Sequence, residues 1–271
     1  MSSNSQGSFS GGGRKVVTGP ALGLAGILLF LLAWEAVPRL GLVQERFLPP
    51  ASEVMLTLFE YFGDGAFWKD VGETMLAWSI GLAISIVAAV VLGLIIGSSS
   101  FLSKATYTTI EFLRPIPSVA LIPLAVLLFG AKIESSLLLV IYASFWQVLL
   151  QVLYGVADVD PVAENTAKSY GLGPLARARY VVWPTALPYL MTGVRLASAV
   201  ALILAITAEL IIGSPGLGSQ IALTRSGGAV PEMYALIVAT GIIGIIINSG
   251  MRFIEKRVLA WHSSVRSEVV A

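Results

Sequence analysis

The chain has 271 residues, of which 56% are hydrophobic and only 12% charged, with a formal net charge of +1 and no cysteine. A soluble domain of this length carries about twice that share of charge, so the composition is that of a membrane protein. The near-neutral balance gives no footing for nucleic acid, and the missing cysteines exclude disulfides and thiol chemistry.

The charges are clustered, and the apolar windows between them meet the roughly 17 to 25 residues that a membrane-crossing helix needs. The pattern predicts an all-α membrane protein with about six transmembrane helices, near 18–37, 74–97, 107–129, 135–156, 187–211 and 233–252. Residues 1–15 hold too few apolar side chains to fold and read as a flexible cytoplasmic tail. Residues 16–262 read as a single transmembrane domain and 263–271 as a C-terminal tail. Arg14 and Lys15 precede the first apolar run as they would precede a signal peptide. That run has no small-x-small cleavage site and ends in Trp34-Glu35-Ala36-Val37-Pro38, so an uncleaved span is the preferred reading and a cleaved signal the alternative.

Leu48-Pro49-Pro50 makes a rigid turn, and Ser52 is placed to cap a short helix carrying Val54, Leu56, Leu58 and Phe59 on or near one face. Such a helix would lie along the bilayer surface. In the third span Arg114-Pro115-Ile116-Pro117 is followed by Pro123. These prolines remove backbone donors that lipid cannot replace, so the helix must break near its cytoplasmic end and be buried against protein. The break is either a kink or a gate that lines a pathway.

The longest polar stretch lies between Ala157 and Pro188. Asp160 as a cap, Pro161 at the first helical position and Gly171 as a left-handed terminator predict a helix over 161–170. Pro174 can start a second helix bearing Arg177 and Arg179, before Trp183-Pro184 leads back to an apolar run. Residues 158–187 are thus a helix-break-helix knob on the membrane surface. With both termini inside, the inward segments hold about twice the Lys and Arg of the outward ones, which predicts N-in/C-in and a cytoplasmic knob.

Chemistry of other kinds is missing from the sequence. No glycine-rich loop ends in Gly-Lys-Ser/Thr, no Ser-His-carboxylate set occurs, and the sole histidine, His262, has no second metal ligand nearby. No cofactor is expected, and the chain by itself is not an enzyme. Five ionisable residues lie within or at the ends of spans: Glu35, Glu111, Arg114, Arg195 and Glu209. Each must face protein or water. Glu209, just before Gly213-Ser-Pro-Gly-Leu-Gly218, is either a paired boundary residue or part of a pathway. Gly93-xxx-Gly97 and the face of Ser198, Ala201, Ala205 and Ala208 suit close helix packing, within one subunit or between two.

Residues 164–184 resemble the cytoplasmic "EAA" loop of the membrane subunits of bacterial ATP-binding-cassette importers. That loop reads Glu-Ala-Ala, three residues, Gly, nine residues, Ile-x-Leu-Pro. Counted from Gly171, the chain supplies Asn165-Thr166-Ala167 and Val181-Val182-Trp183-Pro184, with Glu164 one position early and Lys168 one position after the triplet. Further stretches are similar to permeases of the nitrate/sulfonate/taurine class: Leu48 to Val54, Leu113 to Leu124 with Phe129-Gly130, Ala208 to Ile211 with Gly216-Leu-Gly218, and Glu255 to His262.

The resemblance implies a multi-pass permease of the bacterial plasma membrane, and a homodimer with the pathway between two copies. It also implies ATPase subunits docked in the cytoplasm and an external solute-binding protein. Glu164, Asn165, Thr166, Ala167, Lys168, Gly171 and Pro184 would couple to the ATPase, with Lys168, Arg177 and Arg179 either steering the docking or serving only as inside-facing positive charge. Arg114, Pro115, Pro117, Arg195 and Glu209 are the candidates for a gate or pathway, and the two arginines suit a small anionic solute. A secondary carrier driven by an ion gradient is the alternative, and a membrane scaffold without a pathway is a third.

Overall fold

The computed structural model describes residues 19–261, with side chains from Leu22 onward. The two tails, together with Arg14, Lys15, His262 and Arg266, lie outside the described residues. Among those described, every regular element is helical. The chain divides into two compact units between Glu53 and Val54.

The first unit contains α1 (Gly19–Arg39) and the start of α2 (Ala51–Phe62). Ser52 does not cap α2. Its own N–H and hydroxyl both donate to Glu35, at 2.9 Å each, so a carboxylate from α1 satisfies a free amide of the α2 first turn and favours its dipole. Arg39 closes the cluster by pairing with Glu35 and donating to Ser52 Oγ at 3.2 Å. Farther along α2, Val54 and Leu58 are buried while Leu56 and Phe59 are exposed, which splits the expected apolar face into two.

In the second unit α3 (Gly65–Gly97) begins nine residues before the expected 74, because Asp64 Oδ1 caps it by accepting from Ala66 N–H at 2.9 Å. At about 1.5 Å per residue its 33 residues exceed the hydrocarbon thickness, so a polar first stretch with Lys69, Asp70 and Glu73 is affordable. α3 packs parallel to α6 (Ile133–Ala157) through glycines at a constant offset. A Cβ on Gly81, Gly93 or Gly97 would sit 2.5, 2.7 and 2.8 Å from Cγ1 of Val140, Val152 and Val156. α9 (Trp183–Ile212) runs antiparallel to α6, with Gly155 against Ala186 and Gly193 against Gln151. Ser198, Ala201, Ala205 and Ala208 are buried in this contact, so the small-residue faces serve packing within the chain.

The third span is two helices, α4 (Ser100–Leu113) and α5 (Ile122–Phe129), joined by a single 3-10 turn at Ser118–Leu121 and bent by 80° at Arg114-Pro115-Ile116-Pro117. α6 repairs the break. Tyr142 Oη donates to the Leu113 carbonyl at 2.6 Å, and Ser135 Oγ donates to the carbonyls of Ala125 and Gly130. The first is a replacement bond of the kind that a broken helix at membrane depth requires, and the second fastens the far end of α5 to α6.

After α6 come α7 (Pro161–Ser169) and α8 (Pro174–Arg177), which runs without interruption through a wide π-turn at Ala178–Val182 into α9. The π-turn answers Pro184. A proline ring collides with the carbonyl four residues back, and widening the turn so that Trp183 N–H bonds the Ala178 carbonyl relieves that crowding. α10 (Leu217–Ser226) and α11 (Val230–Val258) complete the unit. Among the described residues five helices are long and apolar enough to cross a membrane, and six spans result if the bent pair counts as one.

Candidate functional site

The knob is built as its sequence dictates. Asp160 Oδ1 accepts from Val162 N–H at 2.8 Å, Pro161 occupies the first helical position, and Gly171 stands at φ +76°. Gly171 N–H bonds the Lys168 carbonyl and Leu172 N–H the Ala167 carbonyl, the paired bonds of a Schellman stop. Glu164 is the hub. Its Oε1 lies 2.9 Å from Lys168 Nζ and 3.2 Å from an Arg177 amine, so it ties α7 to α8 across the break. The Lys168 ammonium, by hydrogen bond and charge, holds the Glu164 carboxyl below its ordinary range, with Arg177 adding to the effect.

Two of the three basic side chains expected to face a partner are therefore engaged inside the knob. Arg179 instead lies over the Tyr180 ring at 5.8 Å. Asn165 and Thr166 are exposed, Ala167 is buried, and Pro184 sits at the start of α9, behind the knob. Among these polar groups the knob also presents large apolar side chains to solvent, a feature the sequence reading missed. Val162 is 71%, Tyr170 82% and Leu175 85% exposed. Tyr189 Oη donates to Asp158 at 2.9 Å, which fastens α9 to the end of α6 beneath the knob.

At the opposite end of α9, Glu209 is fully buried. Its Oε2 accepts from Thr74 Oγ1 of α3 and from Gly218 N–H at the start of α10, both at 2.9 Å. Thr74 Oγ1 in turn accepts from Leu217 N–H at 3.0 Å. Gly216, at φ +143°, makes room: a Cβ there would stand 2.3 Å from Glu209 Cδ. Beside it the buried hydroxyls of Ser136 and Ser214 meet at 2.7 Å. Glu209 thus locks α3, α9 and α10 together through neutral partners. Thr74 was not foreseen.

Arg195 of α9 is paired with Glu255 of α11 at 3.2 Å. Arg114 stands at the break of the third span with Pro115 and Pro117, 3.9 Å from Glu111. A cavity of about 470 Å³ opens there, walled by the break and by Tyr142, Trp146 and Gln147 of α6.

Residues 89–260 match the family described as binding-protein-dependent transport system inner membrane component. The taurine transport system permease protein of Escherichia coli (strain K12) is 28% identical over 90% of this chain and 91% of its own. A putative aliphatic sulfonates transport permease protein of Bacillus subtilis (strain 168) is 25% identical over 89% and 88%. Among solved structures, an inward-facing MetNI methionine ABC transporter matches with a TM-score of 0.61 at 17% identity, covering 71% of this chain and 96% of that one. An amino acid ABC transporter crystallised with histidines matches at 0.60 and 18%, covering 74% and 97%.

Proposed function

Because the chain belongs to the binding-protein-dependent transport inner membrane component family, the multi-pass permeases of ATP-binding-cassette importers, we propose that it conducts a small anionic solute handed over by an external binding protein. Its similarity runs to the nitrate/sulfonate/taurine class. As a permease it is not itself the ATPase, and that reaction belongs to a separate subunit.

In this reading both termini are cytoplasmic, two copies face each other across the pathway, and each α7–α8 knob seats in a cleft of an ATPase subunit. The observation that carries it is mechanical. α8 and α9 are one unbroken helix from Pro174 to Ile212, and Glu164 clamps α7 onto its cytoplasmic end. A displacement of the knob therefore reaches the α6–α9 core without a hinge to absorb it, as a rigid-body switch requires. Val162, Tyr170 and Leu175 supply the apolar contact, and Asn165 in place of an acid leaves that contact less dependent on charge.

Affinity purification of the tagged chain from its native membrane tests the reading, with partners identified by mass spectrometry. Recovery of an ATPase and a solute-binding protein is expected. Recovery of the chain alone, under detergent conditions that keep a known importer intact, overturns it in favour of a carrier driven by an ion gradient.

A further inference from the structure

One residue in the wall of the cavity at the broken third span carries a group the fold leaves unsatisfied. Trp146 is a cavity wall and only 8% exposed, yet its indole N–H is buried without a hydrogen-bond partner. A buried donor in that condition is costly and calls for an acceptor. The ring cannot turn away, because Tyr142 and Phe145 meet it edge-on at 5.9 and 5.1 Å. The same cavity is lined by Arg114, Ser118 and Gln147, all capable of donating, and by the acidic Glu111. Arg114 is held only by Glu111 at 3.9 Å, with both side chains about half exposed, a pair too weak and too wet to commit its charge.

We infer that this cavity is a binding station for a small oxyanion on the permeation route, with Trp146 N–H and Arg114 as its two principal donors. The inference rests on reading the chain as a passage for anions, and it adds where the solute pauses. Its chemistry is that of a sulfonate or nitrate: several acceptor oxygens around one negative charge, matched by one fork of guanidinium donors, one fixed indole donor and two neutral polar side chains. Glu111 competes with the solute for Arg114. The prolines have a use here too, since Pro115 and Pro117 turn the chain so that Arg114 and Ser118 face the same space.

The test is binding of trifluoromethanesulfonate to the full chain in lipid nanodiscs, followed by 19F line broadening and reversed with unlabelled methanesulfonate. Saturable broadening is expected. Trp146→Phe keeps the ring and removes the donor, and should raise Kd about two- to tenfold. Arg114→Gln should raise it about tenfold or more. Glu111→Gln should lower it by up to about fivefold, the weight of the competing opposite charge that it removes about 4 Å from Arg114, in water. A gain in affinity cannot come from misfolding, so that variant keeps the proposal open to refutation even if the others destabilise the chain. Absent broadening, a Kd unmoved by Trp146→Phe, or weaker binding in Glu111→Gln overturns the station. None of these outcomes bears on ATPase recovery, so the two proposals fail separately.

Discussion

Removing the Glu209 side chain should destabilise the junction of α3, α9 and α10. In Glu209→Ala, Gly218 N–H and Thr74 Oγ–H both lose their acceptor in a site with no exposure. Interhelical hydrogen bonds within membranes average only about 0.6 kcal/mol each, which would make the loss about 1 kcal/mol. Orphaned buried donors cost more, about 1 to 3 kcal/mol apiece, so the loss expected here is about 2 to 6 kcal/mol. For a chain of this size that lowers the apparent melting temperature by roughly 10 °C, read at one fixed scan rate in detergent. Glu209→Gln keeps an oxygen for both donors and should stay within about 1 kcal/mol of the parent. Thr74→Val should be non-additive with Glu209→Ala, because each removes the other's partner. A Glu209→Ala protein that melts within a degree or two of the parent, or an additive double variant, would refute the lock.

Gly216→Ala should abolish folded protein in a detergent size-exclusion assay, since its Cβ meets Glu209 Cδ at 2.3 Å and its φ is +143°. Gly171→Ala meets nothing within 4 Å and should cost only about 1 to 2 kcal/mol of left-handed strain, leaving a folded chain by the same assay. Gly93→Ala should destabilise the α3–α6 contact, and Val152→Ala should rescue it by clearing the methyl 2.7 Å away; absence of rescue in the thermal assay would count against the packing. Glu164→Gln should change stability little, because Glu164 and Lys168 are both nearly half exposed, while uncoupling ATP hydrolysis from uptake in the reconstituted importer. The Glu164 carboxyl is held low in the folded state, so the clasp is fully present above the ordinary carboxylate range and is lost only as pH falls through the lowered value. The protection of α7 amides, after correction for the intrinsic pH dependence of exchange, should therefore hold through the ordinary carboxylate range and fall only below it.

The spans were legible because an uncharged run of sufficient length has few other uses. The start of α3 was not, since it is set by the Asp64 cap while the charges of Lys69, Asp70 and Glu73 cut the apolar window short. Arg114-Pro115-Ile116-Pro117 announced a break, but the Tyr142 side chain that helps make it tolerable lies on another helix. The knob was readable residue by residue, because caps and stops are local chemistry. Its clasp was only half readable: Glu164 and Lys168 are one turn apart, while Arg177 is brought near by the Schellman stop. Ser52 has the composition of a cap and yet serves as a ligand of Glu35, a role fixed by a contact 17 residues away. Glu209 was conspicuous as an acid in an apolar span, yet Thr74, 135 residues distant, carries no mark of the partnership.

The most direct measurement uses the chain's lack of cysteine. Single cysteines placed at Val162, Tyr170 and Leu223, all exposed, would be treated with a short bifunctional thiol-amine crosslinker in membranes containing the intact complex. The account predicts that Val162→Cys and Tyr170→Cys crosslink to an ATPase subunit and that Leu223→Cys, on α10 beyond the far end of α9, does not. Crosslinking from Leu223→Cys with none from the knob would contradict both the docking surface and the orientation of the chain.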